Sequence, residues 1–213
     1  EAKAPAAEAP GPVAPRALPR ALPDFVGRQE QLDLILPALR DGRVVGIYGM
    51  GGIGKTSLAL YAAHRVAADF PDGHSFYFVG DKTAEELAAD IAAAFGYPEV
   101  RSFLPERRCD AVRERLGGRR ALLLLDNVER SEQVRPLVEG LAASGILVTS
   151  RHHLSLPAAL SVSLDVLPRQ EAVQLFVKRA GDLDFGSLAD PICERLGDLP
   201  LAIDLAAGLV RTG

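Results

Sequence analysis

The sequence predicts an α/β protein with a doubly wound, mostly parallel sheet of five strands, followed by a small helical module. Short β-rich runs alternate with longer stretches of helical periodicity, which is typical of parallel strands joined by helices on both faces of a sheet. One of these runs, residues 121–125, is almost wholly apolar, as expected for a strand that is covered on both faces. After about residue 168 only helical patterns occur, and these mark the second module.

The individual elements follow from the hydrophobic period and from residues that start or stop helices. The predicted strands are residues 43–48, 75–79, 121–125, 146–149 and 162–166. The predicted helices are residues 29–40, 55–68, 83–95, 105–116, 169–180, 188–196 and 200–210. Thr83, with Glu86 three residues later, predicts a capping box at the start of the third helix. Pro37 is expected to bend or end the first helix.

These elements divide the chain into three predicted parts. Residues 1–23 carry a proline every few positions, which opposes helix and strand alike and predicts an extended, semi-rigid linker. Residues 24–168 form the predicted α/β domain, and residues 169–213 form the helical module, which we expect to be truncated. Because the chain starts at Glu1 and not at Met, we expect it to be a piece of a longer protein.

Composition argues against several classes of function. The net charge is -4, and the arginines of residues 106–120 are interspersed with acids, so we expect no direct nucleic-acid binding. The apolar runs are too short to span a bilayer, and no signal peptide is evident, so no membrane role is expected. Cys109 and Cys193 have no partner at metal-ligand spacing and fit a reducing, cytoplasmic setting. The four histidines show no metal-ligand arrangement either and are interpreted as structural or surface residues.

The motif G-x-x-x-x-G-K-[ST] stands between a predicted strand and a predicted helix. Its glycines let successive backbone N–H groups converge on phosphate oxygens, at the positive end of the following helix. Lys55 is placed to neutralise the β and γ phosphates, and the Thr56 hydroxyl to coordinate Mg²⁺. The motif therefore predicts binding of a nucleoside triphosphate with Mg²⁺. The predicted nucleotide-binding residues of this loop are Gly49, Met50, Gly51, Gly52, Ile53, Gly54, Lys55, Thr56 and Ser57.

Three further residues are candidates for chemistry at the ends of strands. Asp126 follows the buried strand 121–125 and is expected to hold the water shell of the metal. Arg151 follows the strand 146–149 and is a candidate to bind the γ phosphate in the same crevice. Asn127 occupies the position where a second acid often serves as the general base. Glu129 is an alternative base, although its position favours an ordinary exposed glutamate in a turn.

Five segments in order, FVGRQE from Phe25, GMGGIGKTS, LLLLDN, ILVTSR and LGDLPLA, resemble the STAND class of P-loop NTPases, which includes the NB-ARC ATPases. The resemblance covers residues 24–213 and is greatest to the ATPase modules of actinobacterial regulators of the SARP and LuxR types. It implies that Val26 and Arg28 lie by the adenine and that Arg151 senses the γ phosphate. It also implies that Pro200 packs on the nucleotide from the helical module. Asp198 stands where the family usually has glycine, which puts the turn of that module in question.

The resemblance implies an ATP- and ADP-binding signalling module that acts as a nucleotide-dependent conformational switch. Hydrolysis of ATP to ADP and phosphate is expected to be slow, since Asn127 replaces a second acid. The implied partners are effector and sensor domains of the parent chain, and nucleotide-dependent self-association is a further expectation. The preference for adenine rests on the resemblance alone, because the guanine-specific Asn-Lys-x-Asp segment does not occur.

Two other functions remain open at this point. A P-loop kinase or efficient hydrolase would need an acceptor site or lid arginines and a strong general base, and the sequence offers neither clearly. A DNA-binding function of the segment itself is opposed by the acidic balance and by the lack of a recognisable helix-turn-helix.

Overall fold

A computed structural model describes residues 14–20, 24–181 and 185–212. Most of the linker predicted for residues 1–23 therefore lies outside the described residues. The strands are β1 (Arg16–Ala17), β2 (Val44–Tyr48), β3 (His74–Gly80), β4 (Leu122–Val128), β5 (Gly145–Ser150) and β6 (Leu160–Ser163). The helices are α1 (Gln29–Arg40), α2 (Lys55–Val66), α3 (Ala84–Ala94), α4 (Pro105–Leu116), α5 (Arg135–Val138), α6 (Arg169–Ala180), α7 (Ala189–Arg195) and α8 (Pro200–Thr212).

The strands form one sheet in the order β1-β3-β4-β5-β2-β6, and all of their pairings are parallel. Helices cover both faces, so the predicted doubly wound α/β fold is confirmed. On one face α3 and α4 pack Leu87, Ile91 and Leu116 into a cluster with side chains of β4. On the other face α1 and α2 bury Ile35 and Leu58 against the opposite side of the sheet. Every residue of β5 is buried, as expected for a central strand covered on both sides.

The helix predictions agree closely with the structure. The predicted bounds 29–40, 105–116 and 169–180 are those observed for α1, α4 and α6. The capping box between Thr83 and Glu86 is present at the start of α3. Pro37 does not end α1, which continues to Arg40. The proline ring faces solvent, while the buried side chains of Ala38 and Leu39 keep the last turn packed.

The sheet contains six strands, one more than predicted. The additional strand, β1, comes from the segment predicted as a linker, and Arg16 pairs with His74 at the edge of the sheet. The backbone N–H of His74 donates to the carbonyl of Pro15 at 2.8 Å. This approach requires Gly73, because a Cβ there would lie 2.7 Å from the Pro15 ring. Proline patterning predicts the extended conformation, but the docking of the segment depends on this tertiary contact.

The last predicted strand, 162–166, is observed earlier, at Leu160–Ser163. The chain turns away at Asp165, whose carbonyl accepts a hydrogen bond of 2.6 Å from the guanidinium of Arg28. It then enters α6, α7 and α8, which have an apolar core of their own around Phe176, Cys193 and Ile203. Within the described part of the chain, no helix has the length and apolar character needed to cross a membrane.

Candidate nucleotide site

The glycine-rich loop spans the gap between the end of β2 and the start of α2. Gly49, Gly52 and Gly54 have φ values of 150°, 77° and 96°, a region that favours glycine over residues with a Cβ. A Cβ at Gly54 would meet nothing within 4 Å, so the helix start faces open space. The loop therefore presents backbone N–H groups and the N-terminus of α2 to a ligand, which is the arrangement that suits phosphate.

Lys55, the first residue of α2, bends back over this loop. Its Nζ donates to the carbonyls of Gly49 and Met50, at 2.8 Å each. Burial lowers the pKa of Lys55, nearby Arg151 lowers it further, and Asp126 acts in the opposite direction. The pairing of Tyr48 with Ser150 and the bond from Thr56 to Asp126 place these three residues at the same end of the sheet. An anionic ligand there would be drawn to the two cations.

The two predicted metal ligands lie together. The Thr56 hydroxyl donates to Oδ1 of Asp126 at 2.7 Å, and Asp126 is only 7% exposed. A hydroxyl and one carboxylate are hard oxygen donors of the kind that Mg²⁺ uses when phosphates and waters complete its shell. No group of three or more His, Cys, Asp or Glu residues that suits a metal ion occurs in the described residues. The pair fits Mg²⁺ held jointly with a bound nucleotide.

The remaining catalytic candidates differ in their placement. Arg151 is exposed directly after β5, on the side of the sheet where Lys55 lies. Glu129 is also exposed, and its backbone N–H donates to the side-chain oxygen of Gln133 at 3.0 Å. Gln133 in turn donates to the carbonyl of Gly80 at 2.7 Å, so this segment is a tightly bonded turn. Asp126, Arg151 and Glu129 all lie outside the described lining of the cavity that the glycine-rich loop shares with the helical module.

A cavity of about 270 Å³ lies between the glycine-rich loop, the segment before α1 and the helical module. It includes most of the residues predicted to bind nucleotide. Those that line it are Val26, Arg28, Gly52, Ile53, Gly54, Lys55, Thr56, Ser57 and Pro200. Gly49, Met50 and Gly51 belong to the same loop but lie outside the described lining, and the Met50 side chain is 57% exposed.

Several residues of the cavity were not singled out from the sequence. Phe25, Leu167 and Leu175 give its wall apolar character, and Phe25 stacks on Tyr61 with ring centroids 4.3 Å apart. Arg179 lies at the wall and forms ion pairs with Asp204 at 2.9 Å and with Asp24 at 3.6 Å. Phe25 lies in the first of the five quoted segments, which was a usable signal. The others come from three separate helices or loops, and only the tertiary structure brings them together.

Arg28 connects the two parts of the molecule. Its φ is 64°, and its guanidinium donates to the carbonyls of Asp165, at 2.6 Å, and Ile53, at 3.3 Å. Its backbone N–H donates to the carboxylate of Glu171 in α6 at 3.3 Å. Burial lowers the pKa of Arg28, while Glu171 and Asp165 raise it. Arg28 lines the cavity, and its charged end is bonded to the glycine-rich loop and to the chain that enters the helical module.

The start of α8 lies on the glycine-rich loop. The backbone N–H of Leu201 donates to the carbonyl of Gly52 at 3.1 Å, and a Cβ at Gly52 would lie only 2.9 Å from the Leu201 Cβ. Pro200, the first residue of α8, lines the cavity next to this contact. The helical module therefore contacts the loop at the point where phosphates are expected to bind.

The turn before α8 forms despite Asp198. Gly197 and Asp198 have φ values of 63° and 53°. Aspartate tolerates this left-handed region better than most residues. Two hydrogen bonds from Arg169, at 2.8 and 3.0 Å, hold the Asp198 carboxylate in place. The hydrogen bonds from Arg169, which is distant in sequence, therefore explain how the turn accommodates aspartate at this position.

Comparison with known proteins places this architecture in a family. The model of the NB-ARC domain matches residues 28–184, which is most of the chain. The chain belongs to the NB-ARC domain family. The regulatory protein AfsR of Streptomyces griseus is 36% identical over 210 residues, which cover 91% of this chain and 21% of AfsR. AfsR of Streptomyces coelicolor is 37% identical over 215 residues. This NB-ARC chain spans about a fifth of the length of these curated relatives.

Solved structures agree with this family membership at the level of the fold. One similar structure is that of a signal transduction ATPase with numerous domains (STAND) from Pyrococcus horikoshii, which has a tetratricopeptide repeat sensor. Its TM-score is 0.60 and its sequence identity is 22%, and the match covers 91% of this chain and 31% of that chain. Cdc6p from Pyrobaculum aerophilum has a TM-score of 0.62 and 15% identity over 90% of this chain and 65% of that chain. The NB-ARC chain is thus a STAND-class P-loop ATPase module, similar to those of actinobacterial regulators.

Proposed function

We propose that this NB-ARC chain binds ATP and ADP with Mg²⁺ and acts as a nucleotide-dependent conformational switch within a larger regulator. The observation that carries the proposal is the hydrogen bond from the Leu201 N–H to the Gly52 carbonyl, at 3.1 Å. This bond joins the helical module to the glycine-rich loop, beside a cavity that both parts line. A nucleotide in this cavity would touch both parts, so its phosphates would influence their relative position.

Such a switch requires that ATP and ADP differ in their relative affinities for the two conformations. A ligand shifts a conformational equilibrium only as far as its affinities for the two states differ. The γ phosphate is the group that ADP lacks, and Arg151 lies near Lys55 at the end of the cleft where this group is expected. We infer that Arg151 binds the γ phosphate and that ADP favours the closed arrangement, in which α8 contacts the loop. ATP would favour an open arrangement, including one that self-associates.

Different residues would bind the phosphates, the metal and the adenine. Lys55 would exchange the carbonyls of Gly49 and Met50 for phosphate oxygens. Thr56 and Asp126 would hold Mg²⁺, which neutralises the charge of the phosphates when it is bound. The apolar wall with Phe25 and Val26 would take the adenine.

Slow hydrolysis of ATP is supported by the placement of the candidate bases within the described residues. Asn127 follows Asp126 and cannot accept a proton as a carboxylate does. Glu129 is held in an exposed turn by Gln133. The acidic side chains of Asp24 and Asp204 at the cavity wall both pair with Arg179. We propose turnover well below the range of about 1 to 100 per second that kinases reach.

The setting of the switch is also a proposal. Because the AfsR proteins are more than four times as long as this chain, effector and sensor domains are the expected partners, within a cytoplasmic regulator. The net charge of -4 favours a module that does not itself hold nucleic acid. Salt-sensitive DNA binding by residues 24–213 alone would contradict this part of the proposal.

Calorimetric titration with ADP, ATP and GTP in Mg²⁺ tests the switch. We expect binding that is selective for adenine nucleotides. Arg151→Ala should lower the affinity for ATP by about tenfold, because it removes one charged hydrogen bond, and it should leave the affinity for ADP unchanged. Arg107→Ala, an exposed arginine of α4, is the matched control and should change neither affinity. Equal losses for ATP and ADP in Arg151→Ala would argue against sensing of the γ phosphate. Turnover above about 1 per second would instead favour an efficient enzyme.

A further inference from the structure

The strands β4 and β5 separate at the end that carries the site. Their backbone pairing runs from Leu122 with Gly145 to Leu125 with Val148 and ends there. β4 continues to Val128, paired only with β3 on its other side. The metal ligand Asp126 is therefore the first residue of β4 without a backbone partner on β5 in the described pairing.

A single hydroxyl bridges the gap between the separated strands. The Thr149 Oγ1 donates to Oδ1 of Asp126 at 2.6 Å and accepts the backbone N–H of Asn127 at 3.0 Å. Thr149 is 1% exposed, so both bonds are shielded from water. Because a buried polar group without a hydrogen-bond partner is destabilising, the hydroxyl is a specific requirement and not an incidental contact.

The backbone beside this hydroxyl is strained. Asn127 has a φ of 58°, a left-handed conformation that is unfavourable for non-glycine residues, although asparagine tolerates it better than most. The Asn127 N–H is held in this conformation by Thr149. The direction of the adjacent Asp126 carboxylate thus depends on a side chain from the neighbouring strand.

Thr56 and Thr149 both donate to the same oxygen of Asp126, at 2.7 and 2.6 Å. Thr56 would also be a ligand of Mg²⁺ through its hydroxyl oxygen, so its position would depend on the bound metal. Thr149 would remain as the fixed partner of Asp126. The Thr149 backbone also lies two residues before Arg151, so the metal carboxylate and the candidate γ-phosphate sensor are held by the same end of β5.

We propose that Thr149 is a positioning residue for the magnesium site: its hydroxyl holds the Asp126 carboxylate for the metal and links it to the strand that carries Arg151. The inference rests on the proposed nucleotide function and deepens it. It assigns to Thr149 a role in how strongly Mg²⁺ enhances nucleotide binding. A residue that only stabilised the fold would weaken binding with and without the metal alike.

The test is the ratio of ADP affinity in Mg²⁺ to ADP affinity in EDTA, measured by calorimetry. Thr149→Val keeps the shape and the β-branched stem but removes the hydroxyl, and we expect it to lower this ratio by about tenfold, as for other residues that orient metal ligands. Affinity in EDTA should not change. Thr149→Ser restores the hydroxyl and should restore the ratio. An unchanged ratio in Thr149→Val, or an equal loss in Thr149→Ser, would overturn the proposal.

Ser144→Ala is the matched control. Ser144 is also a buried hydroxyl beside β5, where it donates to the Arg119 carbonyl at 2.9 Å, but it lies at the opposite end of the strand. We expect it to lower thermal stability and leave the Mg²⁺ ratio unchanged. If Ser144→Ala lowered the ratio as much as Thr149→Val, general loosening of β5 would explain both, and the positioning role would be rejected.

A measurement without nucleotide separates this inference from the proposed function. Amide hydrogen exchange at Asn127 should become faster in Thr149→Val and remain slow in Thr149→Ser, because the N–H loses its acceptor. Unchanged exchange would overturn the positioning role even in a chain that binds nucleotide. A wild-type chain that binds no nucleotide would instead contradict the proposed function. If Thr149→Val does not fold, as judged by thermal melting, Thr149→Ala replaces it, since the smaller side chain leaves room for water.

Discussion

The sheet domain and the helical module differ in how much apolar surface they bury. The sheet has an apolar cluster on each face, and its central strands β4 and β5 are covered on both sides. The helical module has one small cluster, and α8 leaves Leu201 50% exposed and Leu205 62% exposed. Regions with little buried apolar surface are those that open at low cost in free energy. The sheet is thus the frame, and the helical module is the part suited to move.

The contacts between these two regions are both polar and apolar. Leu199 packs against an apolar cluster of the sheet, and Val26 packs against the core of the helical module. The polar contacts include the bond from Leu201 to Gly52, the bond from Arg28 to Glu171 and the ion pair of Arg179 with Asp24. Of these polar partners, all but Glu171 line the cavity. We therefore propose that a nucleotide in the cavity would act on several of these contacts at once.

The largest expected effect is in the frame. Lys55→Ala should weaken ADP and ATP by about 10- to 100-fold, since it removes a charged donor to the phosphates worth about 1.5 to 3 kcal/mol. Thermal stability should fall little, because the bonds of Lys55 to Gly49 and Met50 are partly exposed to solvent. The control is Lys82→Ala, a surface lysine paired with Asp90, which should bind normally. If Lys55→Ala kept the wild-type affinity for ADP and ATP, the glycine-rich loop would not be part of the nucleotide site.

A second prediction concerns the core of the frame at alkaline pH. Burial raises the pKa of Tyr77 to about 12, while an unfolded tyrosine titrates near 10. The raised value means that this stability is fully present below about pH 10 and is lost as the pH rises towards about 12, by up to roughly 2 to 3 kcal/mol. Tyr77→Phe should therefore resist alkaline unfolding.

Circular dichroism measures this unfolding, because tyrosine fluorescence is itself quenched when the phenol ionises in the same pH range. The chain has no tryptophan, and its tyrosines are Tyr48, Tyr61, Tyr77 and Tyr97, all in the sheet domain. Because the Tyr77 hydroxyl has no hydrogen-bond partner among the described residues, its removal should change stability at neutral pH by less than about 1 kcal/mol. Tyr61→Phe, beside the cavity, is the control and should keep the wild-type alkaline loss. If Tyr77→Phe lost as much stability at alkaline pH as the wild type, groups other than Tyr77 would be responsible for the loss.

The smallest expected effect is in the helical module. Pro200→Ala and Leu201→Ala should each weaken ADP by about threefold, because they trim apolar contacts where α8 meets the loop, at about 0.8 kcal/mol per buried methylene. Leu205→Ala, one turn further along α8 and more exposed, should have no effect. Were all three variants to bind ADP like the wild type, the module would not belong to the nucleotide site, and the comparison between frame and moving part would lose its functional meaning.

The elements of the fold were largely predictable because their signals are local. Hydrophobic periodicity and capping residues predicted α1, α4 and α6 to the residue, and the alternation of elements predicted a parallel sheet. The place of the glycine-rich loop between strand and helix is likewise confirmed. The predicted roles of Val26, Arg28, Arg151 and Pro200 came from the family resemblance and stay predictions to be tested in solution.

The sequence by itself determined the class of fold and the place of the glycine-rich loop between strand and helix, because each depends on residues that are close along the chain. The role of Asp126 as a metal carboxylate stays a prediction. Only the tertiary structure decided that residues 16–17 join the sheet, that Arg28 is bonded to the helical module, and that Thr149 holds Asp126. Each of these contacts joins segments that are distant in sequence. Their geometry depends on how strands and helices pack, which local residue patterns do not encode.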